Sequence, residues 1–216
     1  MEIINFAEKN SVINHYMAEL RDKSYQKNRF TFRHNVERIG EMMAYELSKT
    51  LEYKPKTVKT PLGQLDIPLT RQEDIVIATV LRAGLPFHQG FLNVFDRADN
   101  AFVSAYRMYI NREHTEVGVN AEYIATPNVK GKTLVIVDPM LATGGSATEA
   151  VDFVKKRGGK HIKFMCIIAA PEGLDRLSRT HPDIEIYVGN LDRCLNADAY
   201  ICPGLGDAGD RIFGTK

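Results

Sequence analysis

Within residues 29–51, apolar side chains recur at Val36, Ile39, Met43 and Leu47. Spacings of three and four residues put them on one stripe, which predicts a helix with one face against a core. Residues 53–70 break this pattern with Pro55, Pro61, Gly63 and Pro68, and predict loops or short edge pieces. Five segments then read as strands: 74–80, 101–109, 133–137, 162–169 and 184–188. Several are near-continuous Val/Ile runs, as a parallel sheet buried on both faces requires. Helical stretches at 146–157 and 173–179 separate the last three strands. Strand, helix, strand, helix, strand is the order that right-handed crossovers produce. The expected class is α/β, a central, mostly parallel sheet flanked by helices. From Arg107 to Val129, aromatic and β-branched residues flank a polar middle at 111–120. That predicts a two-stranded β-arm over residues 105–129, with an ordinary surface hairpin as the alternative.

Composition narrows the class of partner. The 216 residues are 44% hydrophobic and 25% charged, and no linker interrupts them, so one domain over 1–216 is expected. Its parts are an N-terminal helical segment over 1–52, the arm, and a C-terminal segment over 190–216. Lys and Arg number 28 against 27 acids, a net charge of +1. Nucleic acid and anionic membrane are not the expected partners, because their binding draws on massed Lys and Arg. The longest apolar run, 164–170, falls far short of the ~20 residues that span a bilayer. The opening residues MEIINFAEKN hold two acids and no apolar core, so no signal peptide is expected. Cys166, Cys194 and Cys202 form no C-x-x-C, which predicts a reducing cytoplasm, no disulfide and no zinc site.

Three segments resemble phosphate motifs. Gly131-Lys132-Thr133 looks like the tail of a P-loop but precedes its strand, so it reads as a strand-entry turn. Gly204-Leu205-Gly206-Asp207-Ala208-Gly209 matches G-x-G-x-x-G by letter. A dinucleotide fingerprint must open a helix and be followed by a strand carrying an acid, and too few residues follow Gly209 for that. Glycines there instead let backbone approach a flat ligand. The third segment is the informative one. A buried strand ends at Asp138, and Pro139-Met140-Leu141-Ala142-Thr143-Gly144-Gly145-Ser146 runs straight into a helix. The first N–H groups of a helix have no partner within it and its dipole is positive there, so an anion fits. Gly144 and Gly145 are expected to keep side chains out of the phosphate's way. Thr143 and Ser146 offer hydroxyls, and Ser146 is a plausible N-cap. Asp138 cannot bind phosphate, but it can accept from ribose hydroxyls. Together these residues predict a ribose 5-phosphate site.

This loop resembles the phosphoribosyl-pyrophosphate (PRPP) motif of type I phosphoribosyltransferases, in the form used by the uracil phosphoribosyltransferase family. Most of the wider superfamily carry a second acid where this chain has Pro139. Val80-Leu81-Arg82-Ala83-Gly84 resembles the family's pyrophosphate loop, and 169–173 (AAPEG) its following turn. Residues 200–210 (YICPGLGDAGD) resemble its uracil-binding segment, a C-terminal hood over the base. The resemblance implies PRPP ligands at Arg82, Arg107, Asp138 through Ser146, and Asp207. It implies uracil contacts at Ile201, Gly206, Asp207 and Ala208. Two departures stand out: Pro86-Phe87-His88 after the pyrophosphate loop, and an arm without the usual acidic pattern, in which Arg112 competes with Arg107.

The implied reaction joins uracil to PRPP, giving UMP and pyrophosphate. Positive charge builds on the ribose ring and negative charge on the leaving group, so catalysis is expected to be positioning and electrostatics. Catalytic roles are implied for Asp138, Arg82, Arg107 and Asp207. Mg²⁺ is expected, bound mainly through PRPP. A homodimer or higher homo-oligomer is also expected. The alternatives are a same-fold RNA-binding pyrimidine regulator and a phosphoribosyltransferase for another base.

Overall fold

The computed structural model describes residues 3–24, 28–109 and 117–214, with side chains at 105–124 outside that description. The chain begins with strand β1 (Ile3–Asn5) and helices α1 (Ile13–Arg21) and α2 (Arg29–Ser48). A hairpin of β2 (Lys54–Thr60) and β3 (Gly63–Leu69) follows. Next come β4 (Ile75–Leu81), α3 (Leu85–Leu92), β5 (Asp99–Tyr109), β6 (Val117–Ala125) and β7 (Thr133–Val137). The last part holds β8 (Met140–Leu141), α4 (Gly145–Lys156), β9 (His161–Ala169), α5 (Pro171–Thr180) and β10 (Glu185–Leu191). It closes with β11 (Cys194–Leu195), β12 (Ile201–Cys202) and α6 (Ala208–Phe213).

Among the described residues eight strands form one sheet, in the order β1-β10-β9-β7-β4-β5-β6 with β8 beside β9. Each neighbouring pair is parallel except β5 and β6. Side chains alternate between faces along a strand, and the core divides accordingly. Val135 and Val137 of β7 join Ile75, Ile77, Met165 and Ile167 under α1, α2 and α3. Leu134 and Ile136 join Val76, Ala78, Phe164 and Ile186 under α4 and α5. Both faces are covered, which is why these strands read as unbroken apolar runs. The stripe Val36, Ile39, Met43 and Leu47 is buried as its spacing predicts.

Residues 53–70 differ from expectation. They form a regular antiparallel hairpin of two seven-residue strands, paired from Lys54↔Leu69 to Thr60↔Gly63, more ordered than the expected loops or short edge pieces. Pro55 and Pro68 lie opposite each other. A two-stranded ladder has both outer edges open to water, so residues without an N–H leave no buried carbonyl unpaired. The arm also takes shape as a pair. β5 lies beside β4 only as far as Ser104, and beyond that residue its neighbour is β6. Residues 110–116, which include Arg112 and most of the polar tip, lie outside the described residues.

Candidate functional site

The carboxyl ends of β4 and β7 face the C-terminal segment across a cavity of about 530 Å³. A parallel sheet puts its loops at these strand ends, where ligands of open α/β sheets bind. Asp138 follows β7, and its N–H donates to Met165 O at 3.1 Å. The Pro139 carbonyl accepts the Ile167 and Ile168 N–H groups, each at 3.1 Å, and β8 pairs with β9. Pro139 and Leu141 are buried, so the loop is stapled to the sheet before it turns into α4.

The cavity brings together Arg82, Asp138, Met140, Ala142 and Ser146 on one side with Ile201, Gly206, Asp207 and Ala208 on the other. Pro139, Leu141, Thr143, Gly144 and Gly145 sit on the same loop without lining it. Arg107 lies in β5, with its side chain outside the described residues. Sequence reasoning missed Asp198 and Ala199, which line the cavity beside Tyr200, the first residue of the segment it singled out. They belong to a turn held by Asn196, whose Oδ1 accepts the Asp198 N–H at 3.1 Å and the Tyr200 N–H at 2.8 Å. The signal for that turn was legible in Asn196-Ala-Asp198, but nothing in it points to a ligand.

Two expectations about the loop need correction. The N-cap of α4 is Gly144, not Ser146, which lies one residue inside the helix. Gly144 takes a φ of +78°, a left-handed conformation that L side chains rarely adopt. Nor does Gly144 clear space for a phosphate. A Cβ there would sit 2.9 Å from the Gly173 carbonyl oxygen, so the glycine lets the loop close onto α5. A valine at this position would damage packing and not simply block a ligand.

Asp138 meets the cavity, yet protein surrounds it. Burial pushes its pKa up to about 7, against the opposing pull of the Met140 N–H, which donates to Oδ1 at 3.2 Å. Asp207 caps α6, accepting the Asp210 N–H at 2.8 Å. The Arg82 side chain is 49% exposed and lies 3.6 Å from Asp210 Oδ1, so a ligand can reach its guanidinium. The site thus offers an accessible cation, a hydroxyl and a carboxylate on one wall and mostly backbone on the other. That division suits a ligand with an anionic end and a flat polar end. Among the described residues no helix is long and apolar enough to cross a membrane.

A sequence model of the family described as uracil phosphoribosyltransferase matches residues 7–215. A uracil phosphoribosyltransferase of Porphyromonas gingivalis is 45% identical over 218 residues, covering 100% of each chain. One from Staphylococcus aureus is 40% identical over 207 residues, covering 95% of each. The solved structure of the AQ2163 protein from Aquifex aeolicus superposes with a TM-score of 0.88 at 36% identity, covering 99% of each chain.

Proposed function

The chain belongs to the uracil phosphoribosyltransferase family, and from that premise we propose how its own residues carry the reaction. The enzyme salvages pyrimidine: the 5-phosphoribosyl group of PRPP passes to N1 of uracil, giving UMP and pyrophosphate. One observation supports the residue assignment above the rest. A single cavity is lined by Arg82 with Asp138, Met140, Ala142 and Ser146 of the loop, and by residues of the 200–209 segment. A phosphorylated sugar and a base need these two walls within one molecule's reach of each other.

In this reading Thr143 and Ser146, with the backbone of 143–146, hold the 5-phosphate. Asp138 accepts from the ribose hydroxyls and opposes the positive charge that develops on the ring. Arg82, with Arg107 or Arg112 from the arm, stabilises the departing pyrophosphate, a contact suited to the guanidinium fork. Ile201, Gly206, Asp207 and Ala208 take uracil.

Among the described residues no cluster of three or more His, Cys, Asp or Glu could cage a metal ion. Asp138 and Asp207 nevertheless border the same cavity. Two carboxylates and open space fit a Mg²⁺ that arrives on PRPP, since this ion keeps several waters and is usually held by substrate phosphates. When bound it would offset pyrophosphate charge, with Asp207 the group placed to face it from the base side.

The experiment that tests this reading is PRPP-dependent pyrophosphate release against a panel of bases. Uracil is expected to give release and UMP. Preference for a purine, or binding of pyrimidine-operon leader RNA without release, would overturn it.

The proposal extends to one domain over 1–216, to the cytoplasm, and to a homodimer. Cys166, Cys194 and Cys202 are all free thiols, as suits a reducing compartment. The β2–β3 hairpin exposes Leu62 fully and Leu65, Ile67 and Leu69 in part, apolar surface that a second copy can cover. Sedimentation equilibrium is expected to give twice 24.3 kDa, and a monomer at micromolar concentration would count against the dimer.

A further inference from the structure

Both polar backbone groups of Gly204 are held by side chains that line no part of the cavity. Asp192 Oδ2 accepts the Gly204 N–H at 2.8 Å, and Arg21 Nη1 donates to the Gly204 carbonyl at 2.9 Å. The two side chains also join each other as a two-pronged ion pair, Nη1 to Oδ2 at 2.8 Å and Nη2 to Oδ1 at 2.5 Å. Asn190 Nδ2 donates to Oδ1 as well, at 2.7 Å. Burial alone would raise the pKa of Asp192, but Arg21, the Gly204 N–H and Asn190 together hold it below the usual range. Its side chain is 1% exposed, so this carboxylate is reserved for its partners.

Gly204 has a φ of +64°, and a Cβ there would fall 2.0 Å from the Ile201 carbonyl oxygen. The turn therefore carries no side chain of its own to brace it, and the bracing comes from elsewhere. A second tie follows at once. Arg211 Nη1 donates to the Leu205 carbonyl at 2.7 Å and also to the Leu20 carbonyl. Leu20 and Arg21 are the last two residues of α1. One helix end thus anchors two successive peptides, immediately before Gly206, Asp207 and Ala208 reach the cavity.

We propose that Arg21 and Asp192 are positioning residues for base recognition, fixing the backbone from which Gly206 to Ala208 present their polar groups to uracil. The proposal rests on the uracil site assigned above. Backbone groups discriminate between bases only while they cannot shift to suit the wrong one, so their supports set selectivity. Arginine is required because its planar fork meets the carboxylate and the carbonyl together, where a lysine ammonium is a single point.

The native chain is assayed first with uracil and PRPP. Absence of UMP would bring down the uracil-site reading, and this proposal with it. Arg21→Met, Arg21→Lys and Asp192→Asn are then measured for uracil KM, PRPP KM and the uracil-to-cytosine ratio of kcat/KM. In Arg21→Met the uracil KM is expected to rise about 10- to 100-fold, the scale of a misplaced contact, and the selectivity to fall. PRPP KM should rise several-fold less than uracil KM, because Arg82 and the 138–146 loop keep their places and Asp207 alone is shared between the two substrates. A merely structural role would lower the melting temperature and leave the uracil KM and the selectivity of the folded enzyme unchanged, and that result overturns the proposal. If Arg21→Met does not fold, Arg21→Lys keeps a cation opposite Asp192 and decides alone. A uracil KM raised well beyond any rise in PRPP KM supports the proposal, and a native uracil KM refutes it.

Discussion

Cytosine is expected to react with PRPP at a kcat/KM about 30- to 10⁴-fold below that of uracil. The reason lies in the wall proposed to meet the base. Gly206, Asp207, Ala208 and Gly209 line it beside Ile201, and three of these residues bring little or no side chain. Recognition then falls to backbone N–H and C=O groups, whose directions the fold sets. Uracil presents O4 as acceptor, N3–H as donor and O2 as acceptor. Cytosine exchanges the first two, so donor meets donor and acceptor meets acceptor. Each unpaired buried group costs about 1–3 kcal/mol, and two give the range stated. A halogen at C5 leaves this edge as it was, and 5-fluorouracil should remain a substrate. Competitive assays with the three bases check both statements. Turnover of cytosine within a few-fold of uracil would end the backbone-readout account.

Asp138→Asn is expected to lower kcat/KM for PRPP by about 10²- to 10³-fold, the cost of losing one group aimed at transition-state charge. It should also erase a pH dependence. With its pKa near 7, Asp138 is mostly protonated at pH 6 in the free enzyme and mostly ionised at pH 8. Opposing the ribose charge needs the ionised form, so kcat/KM should climb as pH rises through 7 and level off above it. Stability runs the other way. A carboxyl whose folded pKa lies above its ordinary 3.8 favours the folded state fully only below that value. The contribution is lost as pH rises toward 7. Asp138→Asn, which has no charge to bury, should therefore melt higher than the native protein at pH 8 and close to it at pH 4. A pH profile that survives the substitution would assign the ionisation to another group.

The sheet was legible because burial on both faces writes itself as uninterrupted Val and Ile. The turn from β7 into α4 was legible because Asp138 to Ser146 is a local unit, strand, loop and helix start in one stretch. What stayed hidden depends on partners far away in the chain. α3 is apolar nearly all round, with Phe87, His88 and Phe91 buried together, so no periodic stripe marks it. β1 has three residues and gains its identity only from β10, through Ile3↔Ile186 to Asn5↔Val188. The hairpin at 54–69 was misread because its prolines were weighed as breakers, although paired outer edges accept them. Gly144 was credited to the phosphate because the sequence cannot show that α5 packs behind it. Asp192 carried no visible signal at all, since its partner Arg21 is 171 residues away.

That distance has a consequence for how the enzyme is made. At translation rates of about 5–20 residues per second, α1 leaves the ribosome roughly 10–30 s before the segment it braces has been synthesised. Met17 and Leu20 meanwhile have a nearby partner, because they share a core cluster with Phe32, Val36 and Ile39 of α2. The phosphate loop is also complete well before Gly204 exists. On the proposed assignment, a growing chain can complete its sugar-phosphate wall early, whereas the base wall closes only when the last part of the message has been read and joined to the first. On that assignment, a chain that stops short of Gly204 lacks its base wall, and the last contact to form is the long-range clasp between the end of α1 and residues 204–211.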